Sequence, residues 1–258
     1  MMKSLWNSFK IAFAMFSKIP MPQADWSEEN MRYMLCFFPF VGAAVGVVML
    51  GMEWLCRYFG MSNGFIAVAL VLVPVIVTGG IHVDGLLDTS DALSSWRDRE
   101  KRLEILKDSH AGAFAVITAC VYFLVLYGGF SQIAGNRTAI KILALGYMVS
   151  RCFSGIGVIM LPKASAGGTV AEFSRKAQDK TVRNTLIVYL VLLAVGMILI
   201  QPVYGVVIFV TAVLVFIFYK HKAMKYFGGT TGDLSGFFLC ICEVVMALVL
   251  GVSGIVVL

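Results

Sequence analysis

Six long stretches of the chain are almost free of charged residues and histidine. They cover residues 33–52, 58–81, 111–136, 142–162, 184–219 and 234–258, and they contain only Arg151 and Glu243 as charged residues. A helix needs about 20 apolar residues to cross the hydrocarbon core of a bilayer. The 36-residue stretch 184–219 is therefore long enough for two helices. We expect the break at Gln201-Pro202, because proline ends a helix.

The composition agrees with a chain that lies largely in lipid. Hydrophobic residues make up 59% of the chain and charged residues 14%, against roughly 45–50% and 25% in soluble domains. The apolar runs are continuous rather than alternating, which favours helices over strands. We predict an all-α polytopic integral membrane helical bundle with about seven transmembrane helices, forming a single domain over residues 1–258.

The first 20 residues predict an amphipathic helix rather than a cleavable signal peptide, because they lack a compact apolar segment followed by a small-residue cleavage site. Their large apolar side chains fall near one helical face: Leu5, Trp6, Phe9, Phe13 and Phe16. We expect this helix to lie in the membrane interface. A short additional core helix is the alternative.

The basic residues predict the orientation. If the N-terminus is cytoplasmic, 17 of the 21 Lys and Arg residues lie in cytoplasmic segments, and only Arg57, Arg137 and Lys141 lie outside. Cytoplasmic loops of membrane proteins carry such an excess. The C-terminus is then outside. The net charge of +6 is accounted for by this topology, so no nucleic acid partner is predicted.

Three aspartates directly follow the second apolar stretch. Spacings of four and seven bring Asp88 and Asp91 to within about 40° of Asp84 around a helix. Carboxylates grouped in this way suit a hard cation, Mg²⁺ before Ca²⁺, and Mg²⁺ commonly shares its ligand shell with substrate phosphates. Solvated acids of a loop are the alternative, and the mixed-charge segment 97–102 downstream is interpreted as a solvated helix. His82 either orients a ligand or phosphate or caps the helix.

Two further clusters precede apolar stretches. In the first, Asp108 or Ser109 either caps the third spanning helix or contacts substrate. In the second, residues 228–236 contain four glycines, and glycine-rich loops that lead into a helix present backbone N–H groups to phosphate. Asp233 is there also an ordinary N-cap residue. The spacing is not that of a P-loop.

Arg151 and Glu243 are charged residues inside predicted spans. Such residues face the protein interior or a wet cavity, and they are either functional or a structural pair between helices. Together, the acidic stripe, the glycine-rich turn and the surrounding basic residues predict Mg²⁺-assisted phosphoryl transfer at the cytoplasmic membrane surface.

The sequence resembles the cobalamin synthase family, also called adenosylcobinamide-GDP ribazoletransferase. The family's Gly-Gly-x-His-x-Asp-Gly-Leu-x-Asp-Thr-x-Asp motif matches Gly79 to Asp91, and Gly-Gly-x-Thr-Gly-Asp-x-x-Gly matches Gly228 to Gly236. Shorter matches follow the family's order across nearly the whole chain: Ser17 to Pro22, Phe38 to Gly42, Asp108 to Gly112, Ser150-Arg151 and Glu243.

The resemblance implies a defined reaction. Adenosylcobinamide-GDP is joined to α-ribazole or its 5′-phosphate, GMP is released, and Mg²⁺ is the cofactor. It also implies a prokaryotic cytoplasmic (inner) membrane location. The resemblance leaves open whether the protein forms a homo-oligomer.

We assign residues to this reaction as follows. Asp84, Asp88 and Asp91 are the predicted metal ligands, and Asp233 is a further ligand or orients the attacking hydroxyl. The predicted catalytic residues are Asp84, Asp88, Asp233 and His82. The predicted substrate-binding residues are Gly79, Gly80, Asp108, Ser109, Arg151, Gly228, Gly229, Thr231, Gly232 and Glu243.

The chain departs from the family pattern at three positions. His110 stands where Arg is usual, Ala92 replaces a frequent Gly, and Cys240 replaces a frequent acid. The roles of His110 and Cys240 stay open.

The sequence disfavours two other functions. A CDP-alcohol phosphotransferase needs Asp-Gly followed by Ala-Arg, and no Ala-Arg follows Asp84-Gly85 here. An ion-coupled transporter tends to show internal repeats and a site near the membrane midplane, neither of which this sequence indicates.

Overall fold

The computed structural model describes residues 2–165 and 177–257, and within these ranges the chain is helical without a β-strand. The helices are α1 (Met2–Phe16), α2 (Glu28–Met31), α3 (Met34–Tyr58), α4 (Asn63–Thr78), α5 (Ile81–Ser94), α6 (Arg99–Ile105), α7 (Ala113–Ile133), α8 (Arg137–Met160), α9 (Asp179–Ile200), α10 (Pro202–Lys222), a π-helical turn (Ala223–Phe227) and α11 (Gly232–Val257). Arg175 and Lys176, which entered the orientation count, lie outside the described residues.

The described helices include six that are long and apolar enough to cross a membrane: α3, α7, α8, α9, α10 with its π-helical turn, and α11. Helices α4 and α5 are long and apolar enough to cross a membrane only when taken together, and the chain bends by 93° between them. The predicted number of seven transmembrane helices is therefore reached only if this pair forms one broken span. The all-α polytopic fold is confirmed. The predicted break at Gln201-Pro202 is also confirmed, because α9 ends at Ile200 and α10 begins at Pro202.

The bend between α4 and α5 lies at two glycines. Gly79 and Gly80 have φ angles of 68° and 81°, in the left-handed region that residues with a Cβ rarely adopt. Gly79 ends α4 and Gly80 precedes α5. The Gly-Gly pair therefore turns the chain sharply and starts the helix that carries the three aspartates.

Helices α8 and α11 lie at the centre of the bundle, and α7, α9 and α10 lie around them. The outer helices expose large apolar side chains, such as Leu124 on α7, Leu199 on α9 and Leu214 on α10. Apolar faces of this extent are unusual on soluble proteins. They are the surface that lipid would cover.

The predicted amphipathic helix is present as α1. It packs against α3, where Phe9 contacts Phe37 and Phe16 contacts Phe38. Its buried residues include Ile11, Ala12 and Phe13, while Trp6 on the same helix is 54% exposed. The hydroxyl of Ser8 donates to the carbonyl of Asn30 at 2.6 Å, which joins α1 to α2. This helix therefore belongs to the packed end of the bundle near the start of α3.

An ion cluster closes the opposite end of α3. Glu53 is fully buried and pairs with Arg57 one turn later and with Arg137, 3.4 Å away, at the start of α8. Arg57 also donates to the carbonyl of Ala134. The pairing compensates the charge on Glu53, which lies in the part of α3 beyond the predicted apolar stretch.

Candidate active site

Helix α5 crosses the first turn of α11 at very short range. A Cβ built on Gly85 would lie 2.6 Å from the carbonyl oxygen of Asp233, and one on Gly236 would lie 2.9 Å from that of His82. Any larger residue at either position would push the two helices apart. The crossing brings together the two motifs 79–91 and 228–236, which are separated by more than a hundred residues in the sequence.

Four aspartates lie near this crossing. The Asp88 carboxylate interacts electrostatically with Asp84, Asp233 and Asp91, and Asp233 interacts with Asp84. Like charges in such proximity repel each other. In the part of the chain that the structure describes, no group of three or more His, Cys, Asp or Glu side chains is arranged to hold a metal ion. The metal assignment of Asp84 and Asp88 therefore stays a prediction.

Asp91 bonds to the start of α7. Its Oδ2 accepts from the amide of Gly112 at 2.6 Å, and its Oδ1 accepts from the amide of Ala115 at 2.9 Å. These N–H groups have no carbonyl partner within their own helix. The interpretation of Asp108 or Ser109 as the cap of this helix is wrong, because the capping carboxylate comes from α5. The role of Asp91 as a metal ligand stays a prediction.

Asp108 and Ser109 are exposed. The Asp108 carboxylate accepts from the backbone amide of His110 at 3.0 Å and contacts its Nδ1 at 2.7 Å. These hydrogen bonds with His110 lower the pKa of the Asp108 carboxyl below its usual value. His110 thus forms a local pair with Asp108, and substrate binding by Asp108 and Ser109 stays a prediction.

His82 lies in the first turn of α5 and is buried. Its ring is 6.4 Å from that of Phe16 and 6.1 Å from that of Phe38, between centroids. The interpretation of His82 as a helix cap is wrong, since α5 is preceded by Gly80 and the imidazole packs among aromatic rings. Its Nε2 has no hydrogen-bond partner.

Backbone amides of the glycine-rich turn before α11 donate hydrogen bonds to carbonyl groups of the protein itself. Gly228 donates to the Met224 carbonyl, Gly229 to that of Ala223, and Thr230 to that of Pro162. These three amides are therefore not available to phosphate in this structure, contrary to the reasoning from the sequence. Substrate binding by Gly228, Gly229 and Gly232 through other contacts stays a prediction.

Thr231, not Asp233, caps α11. The Thr231 hydroxyl accepts from the amide of Leu234 at 3.2 Å, which is the contact of an N-cap residue. The interpretation of Asp233 as the cap is therefore wrong. Its carboxylate lies 3.4 Å from the Thr231 hydroxyl and beside Asp84.

Within the described part of the chain, four basic residues lie against the glycine-rich turn or against Tyr226 just before it, and sequence reasoning missed their grouping. A Cβ on Gly228 would collide with the Arg99 guanidinium, and Arg102 lies 4.7 Å from the centroid of the Tyr226 ring. Lys222 and Lys225 lie 5.0 and 5.3 Å from the same centroid. Arg102 is buried, so the interpretation of 97–102 as a solvated helix is wrong at this residue. Arg99 and Arg102 are three residues apart in the sequence, so both lie on one face of a helix. This spacing is the sequence feature that indicates their grouping.

Lys163 connects the end of α8 to the same turn. Its ammonium donates to the carbonyls of Val158 and Leu161, at the end of a helix where cations are favoured. Burial lowers its pKa below the usual value. The backbone next to it pairs with the turn, because the Ala164 amide donates to the Thr230 carbonyl at 3.1 Å.

Arg151 and Glu243 pair with each other, as one of the two interpretations of the sequence proposed. The Arg151 guanidinium contacts the Glu243 carboxylate and donates to the Tyr147 carbonyl at 3.2 Å, and both side chains are buried between α8 and α11. A narrow cavity of about 10 Å³ lies between this pair and His82. Cys240 lines it and interacts with Tyr122. Substrate binding by Arg151 and Glu243 stays a prediction.

A larger cavity of about 430 Å³ opens beside the aspartates. It lies between α1, α3, α5, α8 and α11, and its lining includes Asp84, Asp233 and His82 together with apolar side chains. Sequence reasoning missed the apolar lining, because the residues come from five helices and share no local pattern.

The comparison with protein families agrees with this arrangement of motifs. The model of the family described as cobalamin-5-phosphate synthase matches residues 8–251. The chain belongs to the cobalamin-5-phosphate synthase family.

Relatives from this family match this chain along nearly their whole length. A protein of Lachnoclostridium phytofermentans named adenosylcobinamide-GDP ribazoletransferase is 44% identical over 94% of this chain and 92% of its own length. Proteins of the same name from Clostridium botulinum and Clostridium perfringens are 30% and 29% identical, over 95% and 97% of this chain. No solved structure matches the chain significantly.

Proposed function

We propose that this protein is an adenosylcobinamide-GDP ribazoletransferase. It transfers the phosphocobinamide group of adenosylcobinamide-GDP to a ribose hydroxyl of α-ribazole or α-ribazole 5′-phosphate and releases GMP. The observation that carries the proposal is the crossing of α5 and α11 at Gly85 and Gly236. It places two family motifs around one group of carboxylates, in a chain whose relatives bear this name.

The carboxylates suit Mg²⁺. Asp84, Asp88 and Asp233 bring like charges together, and a divalent cation would offset their repulsion. Mg²⁺ is commonly held by one or two carboxylates plus substrate phosphates, so Asp84 and Asp88 suffice as protein ligands. When bound, Mg²⁺ would neutralise charge on the diphosphate and on the departing GMP.

The basic cluster provides the binding site for the diphosphate and the GMP leaving group. Arg99 contacts the turn that precedes Asp233 at Gly228, and Arg102, Lys222 and Lys225 lie around the ring of Tyr226, two residues before it. Guanidinium groups form paired hydrogen bonds with phosphate oxygens. The side chains therefore hold the anionic half of the donor next to the carboxylates. Asp233 orients the acceptor hydroxyl towards the phosphorus and takes its proton.

We also propose that the site faces the cytoplasm of a prokaryotic inner membrane. The starts of α7 and α11 meet α5 at one end of the bundle, and most of the basic residues fall in segments at this end. The excess of positive charge marks that end as cytoplasmic. Both substrates carry polar groups, and they would then reach the site without crossing the membrane.

The experiment that tests the function uses purified protein with adenosylcobinamide-GDP, α-ribazole and Mg²⁺. We expect GMP and adenosylcobalamin in equal amounts, identified by mass, and no product when either substrate is omitted. A CDP-alcohol offered with an alcohol acceptor should not react. Turnover of that donor, with no cobalamin formed, would assign the protein to the CDP-alcohol phosphotransferases instead.

A further inference from the structure

We propose that the 430 Å³ cavity holds the benzimidazole base of the acceptor nucleoside, with Ser154 and His82 as its hydrogen-bonding residues. This inference rests on the proposed function and names the acceptor side of the same site. The base would lie between α1, α3, α8 and α11, and the ribose would lie at the rim formed by Asp84 and Asp233.

The lining has the character of a site for a flat apolar ring. Phe16, Leu35, Phe38, Val158 and Leu239 all contribute to it. Volumes of about 300–1,000 Å³ are typical of small-molecule pockets. The cavity is therefore large enough for a nucleoside. A corrin macrocycle with its side chains is several times larger than a nucleoside and does not fit.

Two buried polar atoms in this apolar lining have no partner. Ser154 Oγ and His82 Nε2 both lack a hydrogen bond, although the side chains are only 2% and 7% exposed. An unpartnered buried polar group costs free energy, and a ligand that bonds to it removes this cost. A benzimidazole riboside carries one unsubstituted ring nitrogen, which accepts a hydrogen bond from the Ser154 hydroxyl, and a ribose hydroxyl is the partner of His82 Nε2.

The same lining disfavours the donor's guanine base. Guanine has several hydrogen-bonding groups along its edge, and an apolar wall would leave most of them without partners. The carboxylates of Asp84 and Asp233 also line the cavity. With the base inside, the ribose hydroxyls lie next to these carboxylates. This is the position that transfer to a hydroxyl requires.

The test measures KM for each substrate separately in two variants that change only the cavity. Val158→Phe fills it and should raise KM for α-ribazole at least tenfold. Ser154→Ala removes one hydroxyl and should raise it about fivefold, as expected for one hydrogen bond. KM for adenosylcobinamide-GDP should stay within twofold in both. The matched controls are Val188→Phe on the exposed face of α9 and Ser131→Ala on α7, which should change neither KM.

An unchanged KM for α-ribazole in both variants, or a rise in KM for adenosylcobinamide-GDP, would overturn the inference. Equilibrium dialysis of α-ribazole without the donor separates this inference from the proposed function. Binding that is weakened by Val158→Phe and not by Val188→Phe supports the pocket even if the wild type forms no cobalamin. Absence of binding to the wild type overturns it. If Val158→Phe does not fold, Ser154→Ala decides the question alone.

Discussion

The carboxylate of Asp91 accepts a hydrogen bond from the amide of Gly112 at 2.6 Å. The two residues belong to different motifs, and the contact joins α5 to the first turn of α7. The acidic helix is therefore held at both ends: at Gly85 by the crossing with α11, and at Asp91 by the amides of α7.

Replacing Asp91 by alanine tests this structural role. We expect a loss of about 1–2 kcal/mol in stability, the usual cost of removing a helix cap, seen as a lower melting temperature in detergent. If the Asp91 carboxylate serves as a cap alone, the Mg²⁺ concentration that gives half-maximal activity should not change. A large rise in that concentration at an unchanged melting temperature would instead make Asp91 a metal ligand.

Replacing Gly85 by alanine tests the helix crossing. The added methyl group would lie 2.6 Å from the Asp233 carbonyl oxygen, and such overpacking costs typically about 1–3 kcal/mol. We expect α5 and α11 to separate and transfer activity to fall at least tenfold. Gly128→Ala on α7 is the matched control, because nothing lies within 4 Å of its Cβ position. Equal activity of the two variants would show that the close crossing is not required.

The pair of Arg151 and Glu243 makes a prediction about stability. Replacing Glu243 by leucine leaves the Arg151 charge buried without its partner, which typically costs about 3–5 kcal/mol. The double variant Arg151→Met with Glu243→Leu removes both charges and should regain most of the lost melting temperature. A double variant that is as unstable as the single one would mean that the loss does not come from the unpaired charge on Arg151.

The basic cluster predicts an effect on one substrate only. Arg102→Ala should raise KM for adenosylcobinamide-GDP about tenfold and leave KM for α-ribazole unchanged, because the buried guanidinium beside Tyr226 is assigned to the phosphates. Lys101→Ala is the control, since this neighbouring lysine is exposed and pairs with Glu104. The assignment fails if both variants give the same KM for adenosylcobinamide-GDP.

Most of the fold could be predicted from the sequence because the bilayer imposes length and apolarity on each span. The break at Gln201-Pro202 is a local effect of proline, and the pairing of Arg151 with Glu243 follows from the cost of isolated charge in a membrane. The capping of α7 by Asp91 could not be predicted, because the partner amides begin 21 residues away. Nor could the burial of Arg102, which depends on Tyr226, 124 residues further along the sequence. At α7, a carboxylate from another helix replaces the local cap that the sequence pattern suggests. At Arg102, contacts with a distant segment replace the solvent that the mixed-charge pattern suggests.

The most direct test of the central claim is Mg²⁺-dependent release of GMP from adenosylcobinamide-GDP by the Asp84→Asn variant. Its control is Glu104→Gln, which changes an exposed carboxylate on α6. We predict that Asp84→Asn inserts into the membrane and elutes as the wild type does but releases no GMP at any Mg²⁺ concentration, while Glu104→Gln retains full activity. Full activity of Asp84→Asn would contradict the placement of catalysis at the crossing of α5 and α11.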